Sequence, residues 1–160
     1  MYALGNIYVK AYITNMTSQN VTLSVKSNAK FDMVRLFAAL ADRTRLRLLN
    51  LMDGGEVCVC YFVEILQEGQ PKISRHLAYL RRAGIVRARR DGKWMHYSIE
   101  RPGDPAAAAV LDAALAFMKT DQQMLGDLQR LATACCGTQG LVWLVGAPVP
   151  AHGERLVGLE

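Results

Sequence analysis

From Phe31 onward, apolar residues recur at helical spacing. Phe31, Val34, Leu36, Phe37 and Leu40 form one set, and Leu46, Leu48, Leu49, Leu51 and Met52 form the next. The pattern predicts two helices, with Asp42 as the cap of the second and Gly54-Gly55 as its stop. Glu56 to Leu66 then reads as a short apolar helix with its entry, and Gly69-Gln70-Pro71 breaks and restarts the chain. Pro71 suits a first helical turn, where its missing N–H would have had no partner. In the helix that follows, Ile73, Leu77 and Leu80 fall at i, i+4 and i+7, leaving Lys72, Arg75, Tyr79 and Arg82 on the opposite face, with Ser74 and His76 at its margins. A short helix, a short turn and a helix with a cationic outer face predict a helix-turn-helix whose second helix enters a DNA major groove. For an isolated helix, a solvated basic face would be the commoner meaning of such a stripe.

Gly84 ends this helix, and two strand-like runs, Ile85 to Arg90 and Lys93 to Ile99, meet across Asp91-Gly92. With that pair as a two-residue turn, Ala88 faces Met95 and Val86 faces Tyr97 inside, while Arg89 sits opposite Trp94 and Arg87 opposite His96 outside. The tip is basic, so Arg90 and Lys93 are candidate phosphate contacts, along with the Arg89/Trp94 pair. The alternative for that pair is a simple cation–π stack. Asp104-Pro105 opens a long helix predicted to run through Ala134, with Leu111, Leu115, Met118, Leu125, Leu128 and Leu131 as its apolar stripe. So long a stripe suits a two-fold contact between copies better than packing within one small subunit. Residues 1–29 are expected to be a poorly ordered N-terminal extension, 30–136 the winged domain, and 137–160 a Gly- and Pro-punctuated tail.

Composition narrows the partner. The chain has 160 residues, and 19 Lys and Arg against 14 Asp and Glu leave a net charge of +5, which suits a polyanion. Four cysteines fall as two close pairs, Cys58/Cys60 and Cys135/Cys136, unlike the spread framework of a small secreted domain, so a reducing cytoplasmic setting is expected. No apolar run is long enough to span a bilayer and no signal peptide is evident, so no membrane partner is expected.

Cys58 and Cys60 carry the chemistry. On extended or capping backbone, side chains at i and i+2 point the same way, whereas on a regular helix they diverge by about 200°. The pair therefore makes most sense where a loop becomes a helix, and a helix N-terminus there would also stabilise a thiolate. Two small buried hydrophobes are the bland alternative. An enzyme would need an activated nucleophile, as in C-x-x-C or a phosphate loop, or a His/carboxylate dyad; none is present.

Together these elements make a mainly α fold with a β-hairpin wing, a winged helix-turn-helix. At this point residues 30–136 resemble the ArsR/SmtB metal-sensing repressors. The resemblance rests on Ala38 to Leu49, on Glu56-Val57-Cys58-Val59-Cys60, on Ile73 to Gly84 and on Gly92 to Tyr97. It implies a homodimer, joined through the terminal helix, that binds double-stranded operator DNA and leaves it when an ion binds. The C-V-C signature resembles the arsenite and antimonite branch, which implies As(III) or Sb(III) as inducer and no organic cofactor. Tyr61 stands where that branch usually has Asp, and Val63 where some members have a third cysteine, leaving Cys135 and Cys136 as candidates for a third sulfur. The Asp/His set of zinc-sensing members is missing from the long helix. The expected DNA-binding residues are Lys72, Ser74, Arg75, His76, Tyr79, Arg90 and Lys93. The expected metal ligands are Cys58, Cys60, Cys135 and Cys136. A thiol-based redox repressor of the same fold is the alternative.

Overall fold

The computed structural model describes residues 31–136, which belong to one compact unit beginning at Phe31. The expected N-terminal extension and C-terminal tail lie outside the described residues. Four aspartates open helices by the same device, each side chain accepting a backbone N–H of the first turn; Asp121 is the fourth, described below. Asp32 caps α1 (Met33–Leu40), Asp42 caps α2 (Arg43–Met52) and Asp104 caps α5 (Pro105–Met118). Between them come β1 (Val57–Cys58), α3 (Val59–Leu66), α4 (Gln70–Arg82), β2 (Val86–Asp91) and β3 (Trp94–Ile99). The helix α6 (Gln122–Cys136) closes the described chain.

The core forms where the predicted stripes meet. Leu36, Leu48, Leu49, Phe62, Ile73, Leu77, Leu80, Ile85 and Leu111 are all fully buried. Each such side chain contributes roughly 1.5–3 kcal/mol by leaving water. Because Ile73, Leu77 and Leu80 fix the inner face of α4, its basic face must turn outward. The helix-turn-helix is α3 and α4, and the wing is a three-stranded antiparallel sheet in the order β1-β3-β2.

Three expectations change. The hairpin turn is Gly92-Lys93, so Ala88 pairs with Tyr97, Arg89 with His96 and Asp91 with Trp94. Gly92 has φ +55°, the conformation a two-residue hairpin turn needs at its first central position, and glycine adopts it at no steric cost. The slip equals two residues, so Val86, Ala88 and Tyr97 still face inward. Second, β1 adds a short strand before the thiol helix: Val57 pairs with Tyr97 and Cys58 with His96. Third, the predicted long helix is two. Asp121 accepts from the backbone N–H of Gln123 and of Met124 at 3.0 and 3.1 Å, so it caps a new helix after Met118.

That break turns α6 back onto its own subunit, against α2 and α3. Met124 and Leu131 are buried there. Polar clamps reinforce the contact: Arg43 forks onto Asp121 at 2.8 Å, Arg47 onto the fully buried Asp127 at 2.6 and 2.9 Å, and Asn50 donates to the Met124 carbonyl. Hence much of the apolar stripe is consumed inside the subunit. Val34, Phe37, Phe117 and Leu125 remain exposed.

Candidate functional site: a thiol pair between a DNA-reading helix and its wing

The thiol pair sits where strand becomes helix. Cys58 is at once the last residue of β1 and the N-cap of α3, with extended backbone at φ −72° and ψ 143°. Cys60 lies one residue into the helix. This is the junction at which i and i+2 side chains converge, and Cys60 Sγ donates to Cys58 Sγ at 3.0 Å. Cys58 is buried and Cys60 half-buried. The Cys60 thiol holds the first proton loss down, to about 7 at Cys58; burial opposes it, and the nearby backbone N–H groups of Cys60, Met95 and Val59 assist. With that charge in place, the Cys60 thiol is pushed far up, first by its hydrogen bond to Cys58 and then by burial. The pair thus offers one soft thiolate and one thiol near neutral pH, the donor chemistry that selects thiophilic ions.

Tyr61 has Cys135 beside its hydroxyl. Burial and the neighbouring Cys135 push it up to about 12, with a hydrogen bond to Cys135 and smaller influences from Cys60 and Cys58. Cys135 therefore lies beside Tyr61, the residue after Cys60. The Cys136 side chain lies outside the described residues. No group of three or more His, Cys, Asp or Glu side chains suited to one ion is assembled among the described residues.

The residues predicted to meet DNA divide between α4 and the wing tip. Lys72, Ser74 and Arg75 are exposed on the first two turns of α4. Lys72 pairs with Glu68 at 2.5 Å, and Arg75 donates to the Pro71 carbonyl at 3.3 Å. Exposed pairs of this kind are worth little, so an approaching phosphate or base can take over either cation. His76 is half-buried, its Nδ1 3.5 Å from the capping carboxylate of Asp42, and so sits against the start of α2. Tyr79 is also half-buried, with the Arg45 guanidinium 4.4 Å and the Arg82 guanidinium 5.8 Å from its ring. Lys72, Arg75, His76, Tyr79, Arg82 and Arg45 line one shallow concavity. At the wing tip Arg90 is exposed and donates to the Gly92 carbonyl, while Lys93 lies 4.9 Å above the Trp94 ring.

Two further contributors emerge from the structure. Arg45 donates to the carbonyls of Ala39 and Ala38 at the end of α1 while stacking on Tyr79, so it joins three helices. Nothing in its local sequence marks it out. Glu56 does carry a signal in the sequence: it stands two residues before Cys58, on the same side of extended backbone. Its carboxylate accepts Arg89 Nη2 at 2.6 Å and Arg89 Nε at 3.2 Å, and lies 3.6 Å from His96 Nδ1. The Arg89 guanidinium holds the Glu56 carboxyl below its ordinary range. Arg89 therefore does not stack on Trp94; it is committed to Glu56 and to Asp91, and Lys93 takes the ring instead.

A helix-turn-helix with an outward cationic helix and a basic hairpin wing defines a winged-helix DNA-binding regulator. The family model described as bacterial regulatory protein, arsR family, matches residues 42–88, from the cap of α2 to the middle of β2. The chain is 48% identical over 83 residues to the arsenical resistance operon repressor of Escherichia coli K12, covering 51% of this chain and 70% of that protein. It is 42% identical over 98 residues to the arsenic resistance transcriptional regulator ArsR1 of Pseudomonas putida KT2440, covering 58% and 77%. A probable mercury resistance operon repressor of Streptomyces lividans is 47% identical over 74 residues, covering 46% of this chain and 57% of that one. The chain belongs to the ArsR family of transcriptional regulators, and it is a DNA-binding protein rather than an enzyme. No helix among the described residues is long and apolar enough to cross a membrane.

Proposed function

We propose that this chain is a cytoplasmic, homodimeric repressor that binds As(III) or Sb(III) at Cys58 and Cys60 and then releases its operator. The observation that carries the reading is the 3.0 Å contact between the two sulfurs at the mouth of α3, the helix directly before the DNA-reading helix. A soft ion with bonds of about 2.3 Å to two sulfurs holds them roughly 3.3–3.8 Å apart. The pair has only to open by some tenths of an ångström to bind. The names of two similar proteins, for arsenical and arsenic resistance, favour arsenic among the thiophilic ions; the name of a third, for mercury resistance, points to another thiophilic ion. Cys135 or Cys136 supplies a third sulfur when α6 and α3 adjust. Lys72, Ser74, Arg75, His76 and Tyr79 meet the major groove, and Arg90 and Lys93 meet phosphates.

The redox alternative is weaker, because a bridge between residues i and i+2 closes a small ring and is strained. One titration tests the reading: fluorescence anisotropy of a palindromic fragment from the protein's own promoter, under reducing conditions, with As(III), Sb(III), Cd(II) and Hg(II) added separately. Release by As(III) or Sb(III) in the parent chain, abolished in Cys58→Ser and Cys60→Ser, is the expected result. If both variants respond to every ion as the parent does, the thiols are core residues and the sensing role is wrong.

A further inference from the structure

The strand β1 is only two residues long and its register partners all lie on β3. Cys58, the thiol with the depressed first proton, is therefore fixed to the wing by its own backbone and faces His96 across the ladder. Two residues earlier the Glu56 carboxylate reaches the outer face of both wing strands. It takes Arg89 on β2 at 2.6 Å and lies 3.6 Å from His96 on β3, and Arg89 and His96 are themselves a register pair. Arg89 goes on to Asp91 at 3.1 Å, next to the turn that carries Arg90 and Lys93. Strand pairing and side-chain contacts together thus lead from the thiol pair to the tip of the wing. This route does not pass through α4.

We propose that Glu56 is a positioning residue that couples the thiol pair to the wing, so that an ion on Cys58 and Cys60 releases DNA by displacing Arg90 and Lys93 through the Glu56–Arg89 ion pair. This rests on the sensing role proposed above and adds its route. An ion must part the two sulfurs from their 3.0 Å contact, so Cys58 Sγ moves away from Cys60 and shifts against the Met95 backbone N–H beside it. Because Cys58 is buried, its backbone has to follow, and β1 shifts against β3. The Glu56 carboxylate, carried on the same strand end, moves with it. Its bonds to Arg89 run across the strands, so a displacement there alters the tilt of the hairpin instead of stretching one strand.

The test uses the full chain and two substitutions. Glu56→Gln keeps the shape and one acceptor oxygen but removes the charge that binds Arg89; Glu56→Asp keeps the charge on a shorter stem. Three quantities are read for each: operator affinity with and without As(III), the slope of affinity against salt, and ion binding followed by the ultraviolet absorbance of the sulfur–arsenic bonds. In the parent, As(III) lowers affinity by about 5- to 150-fold, the usual range of allosteric coupling, and reduces the salt slope by about one unit for each phosphate the wing no longer neutralises. In Glu56→Gln, ion binding persists, but the loss of affinity shrinks at least about fivefold, the low end of that range, and the salt slope no longer changes with ion. Glu56→Asp recovers part of both. A merely structural role for Glu56 would lower affinity equally with and without ion, leaving the ratio and the change of slope intact; that result overturns the wing route. A parent whose operator affinity ignores the ions, or a Cys58→Ser variant that still responds, overturns the sensing role and the route with it. An undiminished response in Glu56→Gln beside an abolished response in Cys58→Ser overturns the route alone.

Discussion

Removing the Cys60 thiol should raise the pKa of its neighbour. Cys58 titrates at about 7, below the ordinary 9.0, chiefly because Cys60 donates to it at 3.0 Å; burial pulls the other way. In Cys60→Ala the donor is gone and burial is opposed only by backbone N–H groups, so the Cys58 titration should return to about 8.5 or above. The ultraviolet thiolate absorbance of a variant carrying Ser at positions 135 and 136 reads this directly. Stability follows the same shift. A thiol whose folded-state pKa lies below its unfolded value stabilises the fold above the unfolded value and loses that contribution as pH falls through the folded one. Here the window runs from the ordinary 9.0 down to about 7. Two pH units correspond to at most about 2.7 kcal/mol, and the half-exposed partner reduces this to about 1–2 kcal/mol. Above the ordinary value the slope reverses, because the folded state retains the Cys60 proton that the unfolded chain releases. Urea unfolding of the parent should therefore show a stability gain between pH 7 and 9 that Cys60→Ala lacks. If Cys58 in Cys60→Ala still titrates near 7, the helix N-terminus and not the sulfur contact depresses it, and the sulfur pair has no such role.

Other consequences can be checked one by one. Arg47→Ala leaves the fully buried Asp127 with Arg130 as its remaining cation, so stability should fall by about 2–4 kcal/mol in thermal unfolding, with α6 first to lose amide protection. Arg75→Ala should cost roughly 1–3 kcal/mol of operator binding, with relaxed sequence preference, whereas Arg90→Ala should weaken all sequences alike and flatten the salt slope by about one phosphate's worth. Serine at Cys135 and at Cys136 should affect As(III) affinity unequally, because consecutive helical residues point about 100° apart and at most one can reach the thiol pair. Phe117→Asp should leave each subunit folded but shift sedimentation toward monomer, since Phe117 is 65% exposed on α5; an unchanged dimer would move the subunit contact elsewhere.

The helix-turn-helix is legible in the sequence because its signals are local and agree with one another. Asp42 before α2, Pro71 in the first turn of α4 and the Ile73, Leu77, Leu80 stripe each fix one boundary or one face, and the structure places them so. The meeting of Cys58 and Cys60 is foreseeable for a similar reason: i and i+2 point the same way on extended or capping backbone and diverge on a regular helix. What escapes a sequence reading depends on partners far along the chain. The long terminal stripe is continuous in sequence, and only the capping of α6 by Asp121 and the clamps from Arg43, Arg47 and Asn50, some 74 to 80 residues away, show that it folds back. Likewise Glu56 and Arg89 are 33 residues apart, and although Glu56 stands on the Cys58 side of its strand, nothing local points it to Arg89.

That ion pair bears on how little movement release requires. A phosphate neutralised by one cation lowers log K with salt by about 0.9 per decade, so at physiological salt each such contact contributes about 1 kcal/mol. If the wing tip of each subunit meets DNA through Arg90 and Lys93, withdrawing both costs about 2 kcal/mol per subunit and about 4 kcal/mol for a dimer. This already reaches the scale of a working allosteric switch, about 1–3 kcal/mol, with no unfolding of α4. Rearranging the recognition helix would be far costlier, because Ile73, Leu77 and Leu80 are fully buried and anchor it to the core. The wing carries no such anchor at its tip, where Arg89, Arg90, Asp91, Gly92 and Lys93 are all exposed. An ion bound at the end of β1, as proposed, would therefore act on the most easily displaced part of the proposed DNA-reading surface.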